Sequence, residues 1–178
     1  MSENRANSSF EPKVIAYCCT YCAYTAADLA GSLRLEYAAN VRVVKIMCTG
    51  KIDAVLLLKA FEDGADAVFV AGCAIGDCHF LEGNLRAIQT VIHTKKLMHQ
   101  VGLEPERLEF FQIPASEGPK FAETANQMTD LARKLGPNPL RNCTHENAGG
   151  KLPATEDEHP PLPAAHHATL FRHTERQA

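Results

Sequence analysis

The chain has 178 residues, of which 46% are hydrophobic, and a formal net charge of −3 at pH 7. This length suits one globular domain with tails, and a nearly balanced charge without a basic run argues against nucleic-acid binding. The polar N-terminus, MSENRANSSFEPK, does not resemble a secretory signal. No apolar run approaches the ~20 residues that span a bilayer, so we expect a cytoplasmic protein with no membrane segment.

Strand-like and helix-like segments alternate along the chain. Short apolar or β-branched segments predict four strands: 14–19, 41–48, 67–73 and 108–113. Segments with helical spacing of apolar residues predict four helices: 25–38, 52–63, 82–101 and 117–135, the last capped by Ser116. In the third helix, an apolar stripe is expected to pack on the sheet, formed by Leu81, Leu85, Ile88 and Ile92.

This alternation predicts an α/β fold over residues 13–136. Strands that alternate with helices form a parallel sheet with helices on both faces. The most economical doubly wound arrangement is a four-stranded, flavodoxin-like sheet in the order 2-1-3-4. Residues 1–12 are predicted to be a flexible leader, and residues 137–178, which are rich in proline and histidine, a disordered tail.

Cysteines mark the ends of three predicted strands. The chain has seven, namely Cys18, Cys19, Cys22, Cys48, Cys73, Cys78 and Cys143. Their odd number and the expected reducing compartment favour metal or redox chemistry over structural disulfides. In the order 2-1-3, the carboxyl ends of these strands are neighbours about 4.8 Å apart. We therefore expect the first six cysteines to converge at the switch point of the sheet, where open α/β sheets bind ligands.

Four interpretations of this convergence remain open from the residues alone. Thiols at strand ends are often inert core residues. Cys19 and Cys22 form a Cys-x-x-Cys motif between a strand and a helix, as in thioredoxin-like thiol–disulfide oxidoreductases, but this leaves the other cysteines unexplained. A zinc-stapled interaction module would use the pairs Cys19/Cys22 and Cys73/Cys78 and leave Cys48 without a role.

An iron–sulfur cluster is the fourth interpretation. A [2Fe-2S] cluster takes four thiolates, and six candidates supply them with thiols to spare. Neither a glycine-rich dinucleotide fingerprint nor a Walker-type loop follows the first strand. Gly72, Gly76 and Gly83 allow a tight third loop that could bring backbone N–H groups to sulfur. His79 is a possible additional ligand, and three aromatic residues flank the cysteines: Tyr17, Tyr24 and Phe80.

Three motifs resemble the delta subunit of methyl-viologen-reducing hydrogenase. They are YCCTYCAYTAADLAG from Tyr17, VKIMCTGKID from Val44 and GADAVFVAGCAIGDCHFLEGN from Gly64, and ASEGPKF from Ala115 fits the same family. The resemblance covers about residues 12–137. At one place the chain departs from the usual family pattern, because Ala74-Ile75 replaces His-Pro.

The resemblance implies a small, non-catalytic electron-transfer subunit with one [2Fe-2S] cluster. Such subunits relay electrons between a hydrogenase or formate dehydrogenase and the flavin subunit of a heterodisulfide-reductase-like complex, which implies a hetero-oligomer. The positions carried over as cluster ligands are Cys19, Cys22, Cys48, Cys73 and Cys78. Cys18 is not carried over, because the family varies at the first of the paired cysteines.

Overall fold

The structure is a computed structural model that describes residues 10–142, and its main elements follow the predicted alternation. The strands are β1 (Val14–Cys19), β2 (Val41–Ile46), β3 (Ala67–Gly72) and β4 (Leu108–Gln112). The helices are α1 (Ala23–Ser32), α2 (Ala54–Glu62), α3 (Gly83–Gln100) and α4 (Gly118–Leu135). No helix in this part of the chain is long and apolar enough to cross a membrane.

The four strands form a parallel sheet in the order β2-β1-β3-β4. The predicted flavodoxin-like fold and strand order are therefore confirmed. Val14, the first residue of β1, is aligned with Val41 of β2 and Ala67 of β3. Because the three strands start at the same level and have the same length, their carboxyl ends lie side by side.

Helices cover both faces of the sheet. Val14, Ala16 and Cys18 of β1 belong to one core cluster, together with buried residues of α1 and α4. Tyr17 belongs to a second core cluster with α2 and α3, since successive side chains of a strand point to opposite faces. The central strand β3 is buried along its whole length, as expected of a strand covered on both sides.

The predicted inward stripe of α3 is wrong. Leu81 is 84% exposed, and Leu85 and Ile92 also lie on the surface. The buried face of the helix instead consists of small and polar residues together with Val91 and Met98: Gly83, Asn84, Ala87 and Thr94. These small side chains let α3 pack closely, and Asn84 and Thr94 hydrogen-bond to backbone oxygens, which offsets the cost of their burial.

Several element boundaries differ from the predicted ones. Helix α1 begins two residues earlier than predicted, with Cys22 at its N-cap, and ends at Ser32 rather than Ala38. Strand β2 ends at Ile46, so Cys48 is not a strand residue but precedes a short 3₁₀ turn, Thr49–Lys51. Residues 137–142, assigned from the sequence to the tail, include the buried Asn138, whose amide bonds to Phe61 O and Ala65 O. The remaining tail, with Cys143, and residues 1–9 of the leader lie outside the described residues.

A buried arginine joins several elements at the edge of the sheet opposite the cysteines. Arg107 is fully buried. Its Nε donates to Glu104 Oε2 at 2.8 Å, and its Nη1 donates to Asp66 O and Gly136 O, both at 2.9 Å. Nη2 donates to Leu135 O at 3.3 Å. The side chain therefore ties the start of β4 to the start of β3 and the end of α4.

Replacement of Arg107 by methionine should lower the free energy of unfolding by about 3 kcal/mol. The apolar side chain fills similar space but leaves the buried carbonyl oxygen of Asp66 and the part-buried ones of Leu135 and Gly136 without their donor. Urea unfolding followed by circular dichroism measures the change. The control is Arg133→Met, which removes an exposed i,i+3 ion pair with Asp130 and should cost less than about 1 kcal/mol. An equal decrease in the free energy of unfolding for the two variants would contradict a stabilising role for the hydrogen bonds of Arg107.

Candidate metal centre

Three cysteines meet at the carboxyl edge of the sheet. The Sγ atoms of Cys19, Cys22 and Cys73 all lie within 4.8 Å of one another, and all three residues are buried. Cys19 is the last residue of β1, Cys22 follows it through a tight turn, and Cys73 comes directly after the neighbouring strand β3. The closest contact in the group is between Cys22 and Cys73, whose sulfurs are 3.0 Å apart. Parallel pairing of β1 with β3 thus brings together thiols from distant parts of the sequence.

Two further cysteines meet at the first residue of α3. A Cβ built on Gly83 would lie 2.3 Å from Cys48 Sγ and 3.3 Å from Cys78 Sγ. Both sulfurs therefore border the space that Gly83 leaves free. Gly50 N donates a hydrogen bond to Cys48 Sγ at 3.4 Å, and a backbone N–H of this kind stabilises a thiolate.

The two groups of thiols are neighbours. Burial raises the pKa of Cys48, so a neighbouring cation would favour its thiolate. Cys19 Sγ lies 3.9 Å from the carbonyl oxygen of Met47, the residue before Cys48. The five cysteines carried over from the resemblance therefore occupy one region of the sheet edge.

Cys18 is not one of the three thiols that converge. It lies in the core cluster between the sheet and the helices α1 and α4, and none of its surface is exposed. Burial raises the pKa of Cys18 to about 12, so its thiol stays protonated at neutral pH. Its position agrees with the interpretation that Cys18 is an inert residue of the core.

Protonation differs within the group of three. The pKa of Cys19 is lowered to about 5, because the neighbouring thiol of Cys22 hydrogen-bonds to its sulfur. Burial raises the pKa of Cys73. The lowered pKa favours the thiolate form of Cys19, whereas the raised pKa values of Cys22 and Cys73 mean that a nearby cation is needed to favour theirs. Metal binding supplies that cation, and sulfur ligands bind metals in the thiolate form.

Two helices point their positive ends at the sulfurs. Cys22 is the N-cap of α1, and Gly83 beside Cys48 and Cys78 is the first residue of α3, which has 18 residues. The partial positive charge at a helix N-terminus favours nearby anions such as thiolates. Glu82, the residue at the N-cap of α3, makes no side-chain cap hydrogen bond.

Two supporting residues were missed from the sequence. A Cβ on Gly50 would lie 2.7 Å from Gly83 Cα, so the turn after Cys48 and the start of α3 are in direct backbone contact. Asn84 is buried, and its Nδ2 donates to Cys73 O at 3.2 Å and Ala74 O at 2.8 Å. The sequence indicates Gly83 as a loop glycine, but no local signal pairs it with Gly50 or distinguishes Asn84 from a surface residue.

An aromatic stack connects two of the cysteine loops at the surface. The rings of Tyr21 and His79 stack with centroids 4.0 Å apart, and Phe80 packs edge-on against both rings. Tyr21 precedes Cys22 and His79 follows Cys78, so the stack links these loops. Of the other aromatic residues singled out, Tyr17 lies in the core with α2 and α3, and Tyr24 packs under Lys45.

The donor set fits a thiophilic metal or cluster. Within residues 10–142, one group of three potential metal ligands converges this closely among the His, Cys, Asp and Glu side chains. Its members are Cys19, Cys22 and Cys73. All the converging donors are sulfur, which suits iron–sulfur clusters and zinc and disfavours magnesium or calcium. His79 is exposed, engaged in the aromatic stack and outside this group.

Known proteins share most of the described chain. The family model described as methyl-viologen-reducing hydrogenase, delta subunit, matches residues 14–136. The iron-sulfur subunit of the vhu F420-non-reducing hydrogenase from Methanocaldococcus jannaschii is 45% identical over 131 residues, which cover 74% of this chain and 98% of that protein. The corresponding vhc iron-sulfur protein of Methanococcus voltae is 38% identical over 152 residues, which cover 85% of this chain and 99% of that protein.

A second kind of relative is much longer. It is one of the subunits of the ferredoxin/F(420)H(2)-dependent CoB-CoM heterodisulfide reductase from Methanosarcina acetivorans, and it is 36% identical over 135 residues. These cover 76% of this chain but only 17% of that protein. A domain similar to this chain is therefore one part of that larger protein.

Proposed function

Since the chain belongs to the family of methyl-viologen-reducing hydrogenase delta subunits, we propose that it is an electron-transfer subunit that carries a single [2Fe-2S] cluster. It is an electron-transfer subunit of the hydrogenase and heterodisulfide reductase type. Our proposal adds the type of cluster, [2Fe-2S], to this assignment. The observation that carries it is the convergence of buried thiols, three of them within 4.8 Å of one another, where two neighbouring strands end.

Four of five thiols would hold the cluster. We propose Cys19, Cys22 and Cys73 as three ligands, with the fourth from the pair Cys48 and Cys78. When bound, a [2Fe-2S] cluster accepts and releases one electron at a time. The chain keeps these sulfurs largely from water, donates the Gly50 N–H to Cys48 Sγ and directs two helix N-termini at the site. Burial and hydrogen bonds to sulfur are the means by which a protein sets a cluster's reduction potential.

The names of the relatives support partners of the hydrogenase and heterodisulfide reductase type. We propose a cytoplasmic hetero-oligomer in which the chain receives electrons from a hydrogenase or a formate dehydrogenase. It passes them to the flavin subunit of a heterodisulfide-reductase-like complex. Support for this acceptor comes from the longer relatives, in which a similar domain is joined covalently to the rest of a heterodisulfide reductase polypeptide. The chain itself then needs no substrate pocket and catalyses no reaction alone.

The visible spectrum and the metal content of anaerobically purified protein test the cluster. We expect a brown protein with about two irons and two labile sulfides per chain. Its colour should bleach on reduction by one electron, with an electron paramagnetic resonance signal in the reduced state. Colourless protein with one zinc per chain would instead indicate a structural zinc site. Metal-free protein that reduces disulfides through Cys19 and Cys22 would indicate a thiol–disulfide oxidoreductase.

A further inference from the structure

An open groove lies beside the metal centre. It has a volume of about 650 Å³, and Cys48 is part of its lining. Three large apolar side chains line it as well, namely Met47, Phe80 and Leu81. Because Cys48 borders both the groove and the group of thiols, a molecule seated in the groove would lie next to the metal centre.

The apolar residues of the groove are unusually exposed. Leu81 is 84%, Met47 65% and Phe80 47% exposed. Large apolar side chains gathered at one place on a surface are typical of protein–protein contact sites. Leu85 and Ile92 are further exposed apolar residues on α3. The apolar residues whose helical spacing suggested a core-facing stripe therefore lie largely on the surface of the protein.

Leu81 is presented by a strained backbone. Its φ is +64°, a left-handed conformation that a branched side chain rarely adopts. The conformation is maintained by hydrogen bonds from Leu81 N to Cys78 O at 2.9 Å and from Glu82 N to Phe80 O at 2.8 Å. Such strain, where the surroundings maintain it, is concentrated at ligand and partner sites. The strained backbone directs the side chain of Leu81 into solvent, and Leu81 follows shortly after Cys78 in the sequence.

The charged residues of the groove favour an acidic occupant. Lys51 and Arg86 line it, and neither takes part in a salt bridge within residues 10–142. Glu82 is the acidic residue of the lining, so the groove carries a net positive charge. Complementary charges across an interface raise the association rate and suppress wrong partners.

We propose that this groove is the surface on which the flavin subunit of the heterodisulfide-reductase type docks. The partner would place an apolar side chain against Met47, Phe80 and Leu81, and carboxylates opposite Lys51 and Arg86. The inference rests on the proposed function for the identity of the partner, and on the groove for its chemistry. Docking here brings the partner next to Cys48, which itself lines the groove.

Binding of the separately purified flavin protein from the same organism tests the surface. The full-length chain is immobilised under anaerobic conditions, and the dissociation constant is measured by surface plasmon resonance. Leu81→Gly is the most informative variant, because glycine adopts the positive φ without strain while the apolar side chain is lost. We expect binding to weaken at least ten-fold. The control is Val101→Asp, because Val101 is an exposed apolar residue just beyond the C-terminal end of α3. This variant should bind the flavin protein as tightly as the wild type does.

Charge reversal tests the acidic character of the partner. The double variant Lys51→Glu/Arg86→Glu should bind at least ten-fold more weakly at low salt, and its binding should depend less on salt than that of the wild type. Wild-type affinity in both the glycine and the double variant would overturn the proposal, as would a wild-type chain that does not bind the flavin protein. A wild-type homodimer that Leu81→Gly dissociates would also overturn it, because the occupant would then be a second copy.

The iron and labile-sulfide content of each protein distinguishes a failure of the docking surface from a failure of the proposed cluster. Variants that keep their cluster but lose binding support the docking surface. A wild-type chain without a cluster that binds the flavin protein through the groove would support the surface and overturn the proposed cofactor. Retained cluster with unchanged binding in both groove variants would overturn the surface alone.

Discussion

Replacement of Cys73 by serine is expected to reduce iron binding at least ten-fold. Cys73 Sγ lies 3.0 Å from Cys22 Sγ and within 4.8 Å of Cys19 Sγ. Serine preserves the shape of the side chain, but its hydroxyl is a poor ligand for metals that prefer thiolates. Loss of a ligand by a metal centre is far more costly than loss of a supporting residue, which typically changes affinity 10–100-fold. Iron and labile sulfide per chain, with the visible spectrum, measure the effect.

Cys18 provides the matched control, because it is the immediate neighbour of Cys19 yet packs in the core. Cys18→Ala should retain the iron and the spectrum of the wild type. It should lower the free energy of unfolding by about 1 kcal/mol, the cost of a small cavity. The opposite pattern, with iron lost from Cys18→Ala and kept by Cys73→Ser, would show that the group of three thiols is not the metal centre.

Replacement of Gly83 by alanine should disrupt the same centre by a steric route. The added Cβ would lie 2.3 Å from Cys48 Sγ, closer than two such atoms approach, so the sulfur or the start of α3 must move. We expect the iron content to fall several-fold and the free energy of unfolding to fall by about 1–3 kcal/mol, as for other overpacked sites. Urea unfolding and iron analysis measure the two effects on the same preparations.

A double variant identifies the cause of the Gly83 effect. In Cys48→Ala/Gly83→Ala the sulfur that clashes is absent, so the stability lost in Gly83→Ala should be largely regained. Iron content is not expected to exceed that of Cys48→Ala alone. The control for a general effect of replacing glycine is Gly31→Ala in α1, where no atom other than those of its chain neighbours and its own helix backbone lies within 4 Å of the new Cβ. That variant should gain about 0.5–1 kcal/mol. Full iron content in Gly83→Ala would contradict close packing at this point.

The strand order and the meeting of distant cysteines could be predicted because they depend on local patterns. A buried strand such as β3 reads as a continuous apolar run, and alternation with helices permits few topologies. Once β1 and β3 are neighbours, Cys19 and Cys73 must lie at the same edge. Residue type and position in a strand therefore suffice to predict where these thiols lie, and the motifs around them to identify the family.

The sequence alone determined the fold class, the strand order and the edge of the sheet at which the thiols gather. The tertiary structure decided which side chains of that edge face one another. Periodicity shows that α3 has an apolar stripe, but only packing decided that Asn84 and Ala87 face inward while Leu85 lies on the surface. The contact between Gly50 and Gly83 likewise has no local signal. It depends on two segments distant in sequence approaching within van der Waals distance, and such distances arise only when the whole core is packed.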